Sequence, residues 1–227
     1  MSSKNPANLA ELERPSAAPS DEVSRGILFV VSSPSGGGKG TLIHRVLNNV
    51  PGVSYSVSYT TRAPRNGEVD GVDYFFVSPE KFEELVAADE FLEWARVHGN
   101  LYGTSRAQVI REISERRDII LEVDVQGAAS VRKLLADSVS VFIVPPSFEV
   151  LRERLVARGT DSPVELELRL RTAPVELRQY VKFDYVIVND DAERAGAQLA
   201  SIIYAERARR KRQEQDVRRV AETFPAN

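Results

Sequence analysis

Ser33-Pro34-Ser35-Gly36-Gly37-Gly38-Lys39-Gly40-Thr41 combines residue types suited to holding a polyphosphate. Three consecutive glycines let backbone N–H groups turn inward around an anion, and a lysine behind them can reach the β and γ phosphates of a nucleotide. The run departs twice from the G-x-x-x-x-G-K-[ST] pattern. Ser33 stands at the first glycine and Gly40 at the hydroxyl position, and Thr41, next in the chain, is expected to take over the hydroxyl role. The plain alternative is a glycine-rich turn with a chance lysine. The flanks weigh against it: residues 27–31 form a continuous apolar run, and Leu42, Ile43, Val46 and Leu47 follow at helical spacing. Strand, loop and helix in that order are the context a phosphate loop requires, with the helix N-terminus adding positive partial charge. Such a loop serves motors, GTPases, ATPases and kinases alike.

Arg62 and Arg65, three apart across Pro64, are followed by Tyr74. Two guanidinium forks and a phenol suit a second phosphate dianion. On these residues alone, a solvated charged loop is an equally open reading.

The elements that must carry these groups read as an α/β domain. Apolar runs recur at 119–121, 139–144 and 185–188, separated by helical patterns near 128–135 and 150–156. Runs buried on both faces and alternating with helices predict a parallel sheet with helices on each side. Residues 54–105 differ: short strand-like runs at 74–77 and 91–97, with a helix opened by Ser78-Pro79, predict a small mixed β subdomain inserted into the core. Residues 1–24, rich in Pro, Ser, Ala and Glu without apolar periodicity, read as a flexible tail. From about 192 the chain reads as helical and ends in Arg207, Arg209, Arg210, Lys211, Arg212, Arg218 and Arg219. The interspersed Glu206, Glu214 and Asp216 favour a solvated helix end over a nucleic-acid patch.

Composition removes other classes. The 227 residues are 42% hydrophobic and 28% charged, with 30 Lys and Arg against 33 Asp and Glu, a net charge of −3 that weighs against a general nucleic-acid binder. There is no cysteine, so thiol chemistry and Cys-held metals are excluded. His44 and His98, the two histidines, read as ordinary helix and strand residues. No apolar run approaches membrane-span length and no secretory h-region opens the chain, so a soluble, cytoplasmic protein is expected.

The chain resembles the guanylate kinases from about residue 26 to 204. The similarity is gapless from Ser56 through Gly103 and includes Phe91-Leu92-Glu93-Trp94-Ala95 and Gly99-Asn100-Leu101-Tyr102-Gly103-Thr104. It continues through Asp124-Val125-Gln126-Gly127, Pro145-Pro146-Ser147, Arg158-Gly159-Thr160 and Val188-Asn189-Asp190. The resemblance implies a P-loop NTPase-like core, a GMP-binding insertion, a helical lid, and transfer of the ATP γ-phosphoryl to GMP and to dGMP. It implies a core at 25–54 and 105–205, the insertion at about 55–104 and a lid at about 154–172; residues 206–227, beyond it, read as a basic helical tail.

Residue by residue, the resemblance implies that Arg62, Arg65, Tyr74 and Tyr102 hold the GMP phosphate, and that Ser58, Glu93 and Thr104 read the guanine. Glu122, at a position usually Asp in the family, would also face the guanine side. Residues 33–41 and Asn189 would bind ATP, Asn189 near the adenine. Lys39, with lid arginines Arg154, Arg158 and Arg169, would be catalytic. Thr41 and Asp124 would face Mg²⁺, largely through water. ATP and GMP would be the partners, with no membrane and no specific nucleic acid.

The residue types agree with this. Phosphoryl transfer needs positioning and charge neutralisation, and an ionised phosphate acceptor needs no protein base. A carboxylate such as Glu93 only accepts hydrogen bonds, matching the adjacent N1–H and 2-amino donors of guanine. Two other readings remain: a guanylate-kinase-like phosphopeptide-binding module, which would lack the Lys39 loop, and a P-loop small-molecule kinase with another acceptor, which would lack Glu93 with Thr104.

Overall fold

The four apolar runs and a short strand at 53–55 pair into one parallel sheet in the order β2-β7-β1-β8-β9. These strands are β1 (Leu28–Ser32), β2 (Val53–Tyr55), β7 (Asp118–Glu122), β8 (Val139–Val144) and β9 (Tyr185–Val188). The computed structural model describes residues 25–97, 99–159 and 162–225. The tail read at 1–24, His98 and Thr160 lie outside the described residues.

Every residue of β1 is buried, which is why its sequence is apolar without alternation. Phe29 and Val31 face one layer, with Leu42, Ile43 and Val46 of α1 (Lys39–Asn49) and Leu199 and Ile203 of α7 (Ala192–Arg207). Leu28 and Val30 face the other. There they meet Val109 and Ile113 of α3 (Arg106–Ser114), and Ala128 and Val131 of α4 (Val125–Leu134).

The inserted segment forms a second sheet in the order β4-β3-β6-β5, comprising β3 (Tyr59–Thr60), β4 (Phe75–Phe76), β5 (Phe91–Val97) and β6 (Asn100–Ser105). It is mixed: β3 runs parallel to β4 and antiparallel to β6. Phe82 of α2 (Pro79–Ala87) packs on Phe91 and Leu101. Ser78 caps α2 by accepting from Lys81 N, with Pro79 in the first turn, as its sequence predicts.

Helices α5 (Phe148–Arg158) and α6 (Pro163–Leu177) form a smaller cluster around Leu151, Leu155 and Ala173. The chain ends in α8 (Arg210–Ala221), separate from α7. Its cations are paired: Arg210 with Glu214, Arg219 with Asp216, and Lys211 and Arg212 with Asp137. Among the described residues no helix is long and apolar enough to cross a membrane.

All five core strands run the same way, so the segments after them emerge at one edge: Ser33–Gly38 after β1, Ser56–Ser58 after β2, Val123-Asp124 after β7 and Asn189 after β9. Ligands of open parallel sheets bind at this edge.

Candidate active site

Lys39 opens α1 directly behind Gly38, whose backbone is left-handed at φ 88°. A Cβ at Gly38 would also stand 2.4 Å from Asn189 Nδ2, so both backbone conformation and space require glycine. Asn189, buried at the end of β9, donates from Nδ2 to Gly37 O at 2.9 Å, tying the last strand to the loop after the first. Lys39 Nζ donates to Ser33 Oγ at 3.2 Å and lies 4.0 Å from Glu122 Oε1. Ser33, at the usual glycine position, is thereby a partner of the lysine.

The helices at 148–177 meet the same loop. Arg154 donates from Nη2 to Asn189 O at 2.8 Å, and its buried Nη1, near Gly38, has no hydrogen-bond partner among the described residues. Arg169 Nη1 donates to Ser35 Oγ at 2.7 Å, and Ser35 N donates to Glu176 Oε2 at 3.1 Å. Arg158 is exposed at the end of α5.

Across the sheet edge, the insertion builds a second cluster. Arg62 lies over the Tyr74 ring, 5.4 Å from its centroid, and the Tyr74 and Tyr102 rings meet edge-on at 6.0 Å. Glu68 joins both arginines: Oε1 accepts from Arg62 Nη2 at 2.8 Å and Oε2 from Arg65 N at 2.7 Å. Burial opposes ionisation of Glu68, but the bonds to Arg62 and Arg65 outweigh it and hold its carboxyl below the usual range. Burial pushes the Tyr74 phenol far up, helped by the negative charge of Glu122.

Deeper in the insertion, Glu93 and Thr104 pair across β5 and β6. Glu93 is 8% exposed and accepts from Thr104 Oγ1 at 2.6 Å. Burial pushes its carboxyl up to about 7. The Thr104 bond opposes that shift, and the charge of Asp124 adds to it. Ser58 is buried nearby in sequence to the same sheet, just before β3. Asp124 caps α4, accepting from Gly127 N at 2.8 Å. A Cβ at Gly127 would stand 2.8 Å from Glu93 Oε2, so a side chain there would push this carboxylate from its place.

The guanylate kinase family model matches residues 25–206. The chain is 52% identical over 185 residues to the guanylate kinase of Symbiobacterium thermophilum, covering 82% of this chain and 88% of that one. It is 51% identical over 189 residues to the guanylate kinase of Neisseria gonorrhoeae, covering 83% and 92%. The chain belongs to the guanylate kinase family. The crystal structure of guanylate kinase from Anaplasma phagocytophilum superposes with a TM-score of 0.71 at 34% identity, covering 85% of this chain and 96% of that one. The expected fold class, a P-loop core with a parallel sheet and a small mixed insertion, is the observed one. The protein is an enzyme with guanylate kinase activity.

In this guanylate kinase Ser33, Ser35, Lys39, Arg154, Arg169 and Asn189 meet at the loop after β1, and Arg62, Arg65, Tyr74, Tyr102, Glu93 and Thr104 lie on the insertion; Glu122 stands beside Lys39 and within electrostatic reach of Tyr74, whereas Arg158 is exposed away from both groups. Thr41 is exposed in the first turn of α1. Among the described residues, no three His, Cys, Asp or Glu side chains form a site able to hold a metal by themselves.

Three participants have no signal in the motifs. Glu68 could have been found from its place three residues after Arg65. Glu176 and Tyr55 could not, since their partners lie 141 and 67 residues away.

Proposed function

We propose that the two clusters are the two substrate sites of one phosphotransferase, the Ser33–Thr41 loop holding ATP and the inserted sheet holding GMP. The reaction is transfer of the γ-phosphoryl group of ATP to GMP, giving ADP and GDP. The core comprises 25–54 and 105–205, the GMP-binding insertion about 55–104 and the lid about 154–172.

The observation that carries the residue assignment is the burial of Glu93. A carboxylate kept 8% exposed with a single hydroxyl partner among the described residues needs further donors, and guanine N1–H and its 2-amino group are two adjacent ones. Ser58 and Thr104 add hydroxyls to the base site. Arg62, Arg65, Tyr74 and Tyr102 take the GMP phosphate, with Glu68 fixing both arginines.

On the ATP side, the Ser33–Thr41 loop and Lys39 take the phosphates, and Asn189 braces the loop. A phosphate oxygen beside Gly38 would satisfy the buried Arg154 Nη1. Arg154, Arg158 and Arg169 stabilise charge on the transferring group when the lid closes and excludes water.

Thr41, Asp124 and Glu122 carry oxygen donors of the hard type that suits Mg²⁺, which usually binds through one or two carboxylates, water and substrate phosphates. Thr41 and Asp124 would hold it, largely through water. Bound there with ATP, Mg²⁺ would neutralise charge on the β and γ phosphates.

A coupled ADP-release assay with ATP and GMP, dGMP, AMP, CMP or UMP tests the reading. Release is expected with GMP and dGMP; equal rates with AMP would overturn the base-site assignment.

A further inference from the structure

We infer that Tyr55 is a positioning residue for phosphoryl transfer: its phenol holds Glu122 over Gly40, where that carboxylate adds an oxygen to those of Thr41 and Asp124 for the ATP-bound metal. The inference deepens the assignment of the Lys39 loop to ATP and rests on it.

Glu122 ends β7, and its backbone lies beside Val31 of β1, two residues before the phosphate loop. Its side chain therefore rises from the sheet edge towards the first turn of α1. Oε1 is 4.0 Å from Lys39 Nζ, and a Cβ at Gly40 would stand 3.7 Å from Oε2. The carboxylate thus overhangs the one position in the loop where the expected hydroxyl is missing. Mg²⁺ favours a carboxylate together with phosphate oxygens, so an acidic oxygen here is of the type this metal takes.

A glutamate has three side-chain torsions and would gain most, left alone, by folding onto Lys39 as a close ion pair. That would divert the lysine from phosphate. Tyr55 prevents it from the opposite side of β7: Tyr55 pairs with Ile120, and its hydroxyl donates to Glu122 Oε2 at 3.4 Å. The contact is long for a hydroxyl–carboxylate bond, and such bonds often shorten when substrate completes the site. A phenol is protonated at neutral pH, so it donates to a carboxylate. One oxygen is held by Tyr55, and the other stays within electrostatic reach of Lys39 without bonding to it.

The test is calorimetric binding of a non-hydrolysable ATP analogue, in EDTA and across a Mg²⁺ titration, without GMP. In Tyr55→Phe the Mg²⁺ concentration giving half of the affinity gain should rise at least about fivefold, as expected for one lost hydrogen bond to a charged group. Affinity in EDTA should stay within about twofold of the unmodified protein, a readout that a general loss of folding would move. In a Glu122→Gln background, Tyr55→Phe should add no further shift, because the phenol acts through that carboxylate. An unchanged Mg²⁺ midpoint, equal losses with and without Mg²⁺, or a full shift persisting in the Glu122→Gln background would each overturn the inference. Failure of the unmodified protein to bind the analogue would instead overturn the ATP-site assignment.

Discussion

Thr104 Oγ1 donates to Glu93 Oε1 at 2.6 Å, and both side chains are buried between β5 and β6. One neutral hydroxyl does not compensate a carboxylate for lost water, which is why burial dominates and carries the Glu93 carboxyl up to about 7. The folded state thus binds this proton more tightly than the unfolded chain. Its contribution to stability is fully present below the unfolded carboxyl range and is lost as pH rises to about 7. The size is on the order of 3 kcal/mol. Glu93→Gln should therefore be more stable than the unmodified protein at pH 8, with the gap shrinking by pH 5. Urea unfolding at both values checks this; a gap independent of pH would show that Glu93 is not ionised at a cost.

The same substitution should damage base choice. Guanine offers two donors to the carboxylate, whereas adenine turns an N1 lone pair towards it, and sites built for hydrogen bonds reject such analogues strongly. Glu93→Gln should lower kcat/KM for GMP roughly ten- to a thousandfold, from losing one or two charge-assisted bonds. AMP should gain relative to GMP. A GMP-to-AMP ratio within about threefold of the unmodified enzyme, under 1 kcal/mol, would remove Glu93 from base reading.

Lys39 reaches from the start of α1 to Ser33 Oγ and the vicinity of Glu122. Lys39→Met should lower kcat by at least about a hundredfold, by analogy with removal of one preorganised electrostatic donor. The fold should persist, because the side chain joins no hydrophobic layer. Steady-state turnover with circular dichroism checks both points, and near-normal turnover would refute the role.

Glu68 holds Arg62 through its guanidinium and Arg65 through its backbone N–H. In Glu68→Gln the amide weakens the first bond and sets a donor against the second. KM for GMP should rise about three- to tenfold while KM for ATP stays nearly constant, as expected for loss of about one hydrogen bond. Equal shifts in both constants would show that Glu68 serves the fold as a whole.

The strand–loop–helix at 27–47 was legible because backbone burial, glycine freedom and helix spacing are local properties. The same holds for α2, announced by Ser78-Pro79. The break between α7 and α8 was not legible: both sides carry the same charged helix-forming residues, and the interruption at Ala208 and Arg209 leaves no proline or glycine to mark it.

By itself the sequence determined the phosphate loop, the strand runs that become a doubly covered sheet, and the residue types able to take a second phosphate and a guanine. These depend on neighbours a few positions apart. Only the tertiary structure decided which long-range partners those groups keep. Arg169 meets Ser35 across 134 residues, and Tyr55 meets Glu122 across 67. Such pairings are set by which strands lie side by side and which helices cover their ends. Periodicity reports how an element faces the core, but it does not report which side chain from a distant element stands opposite it.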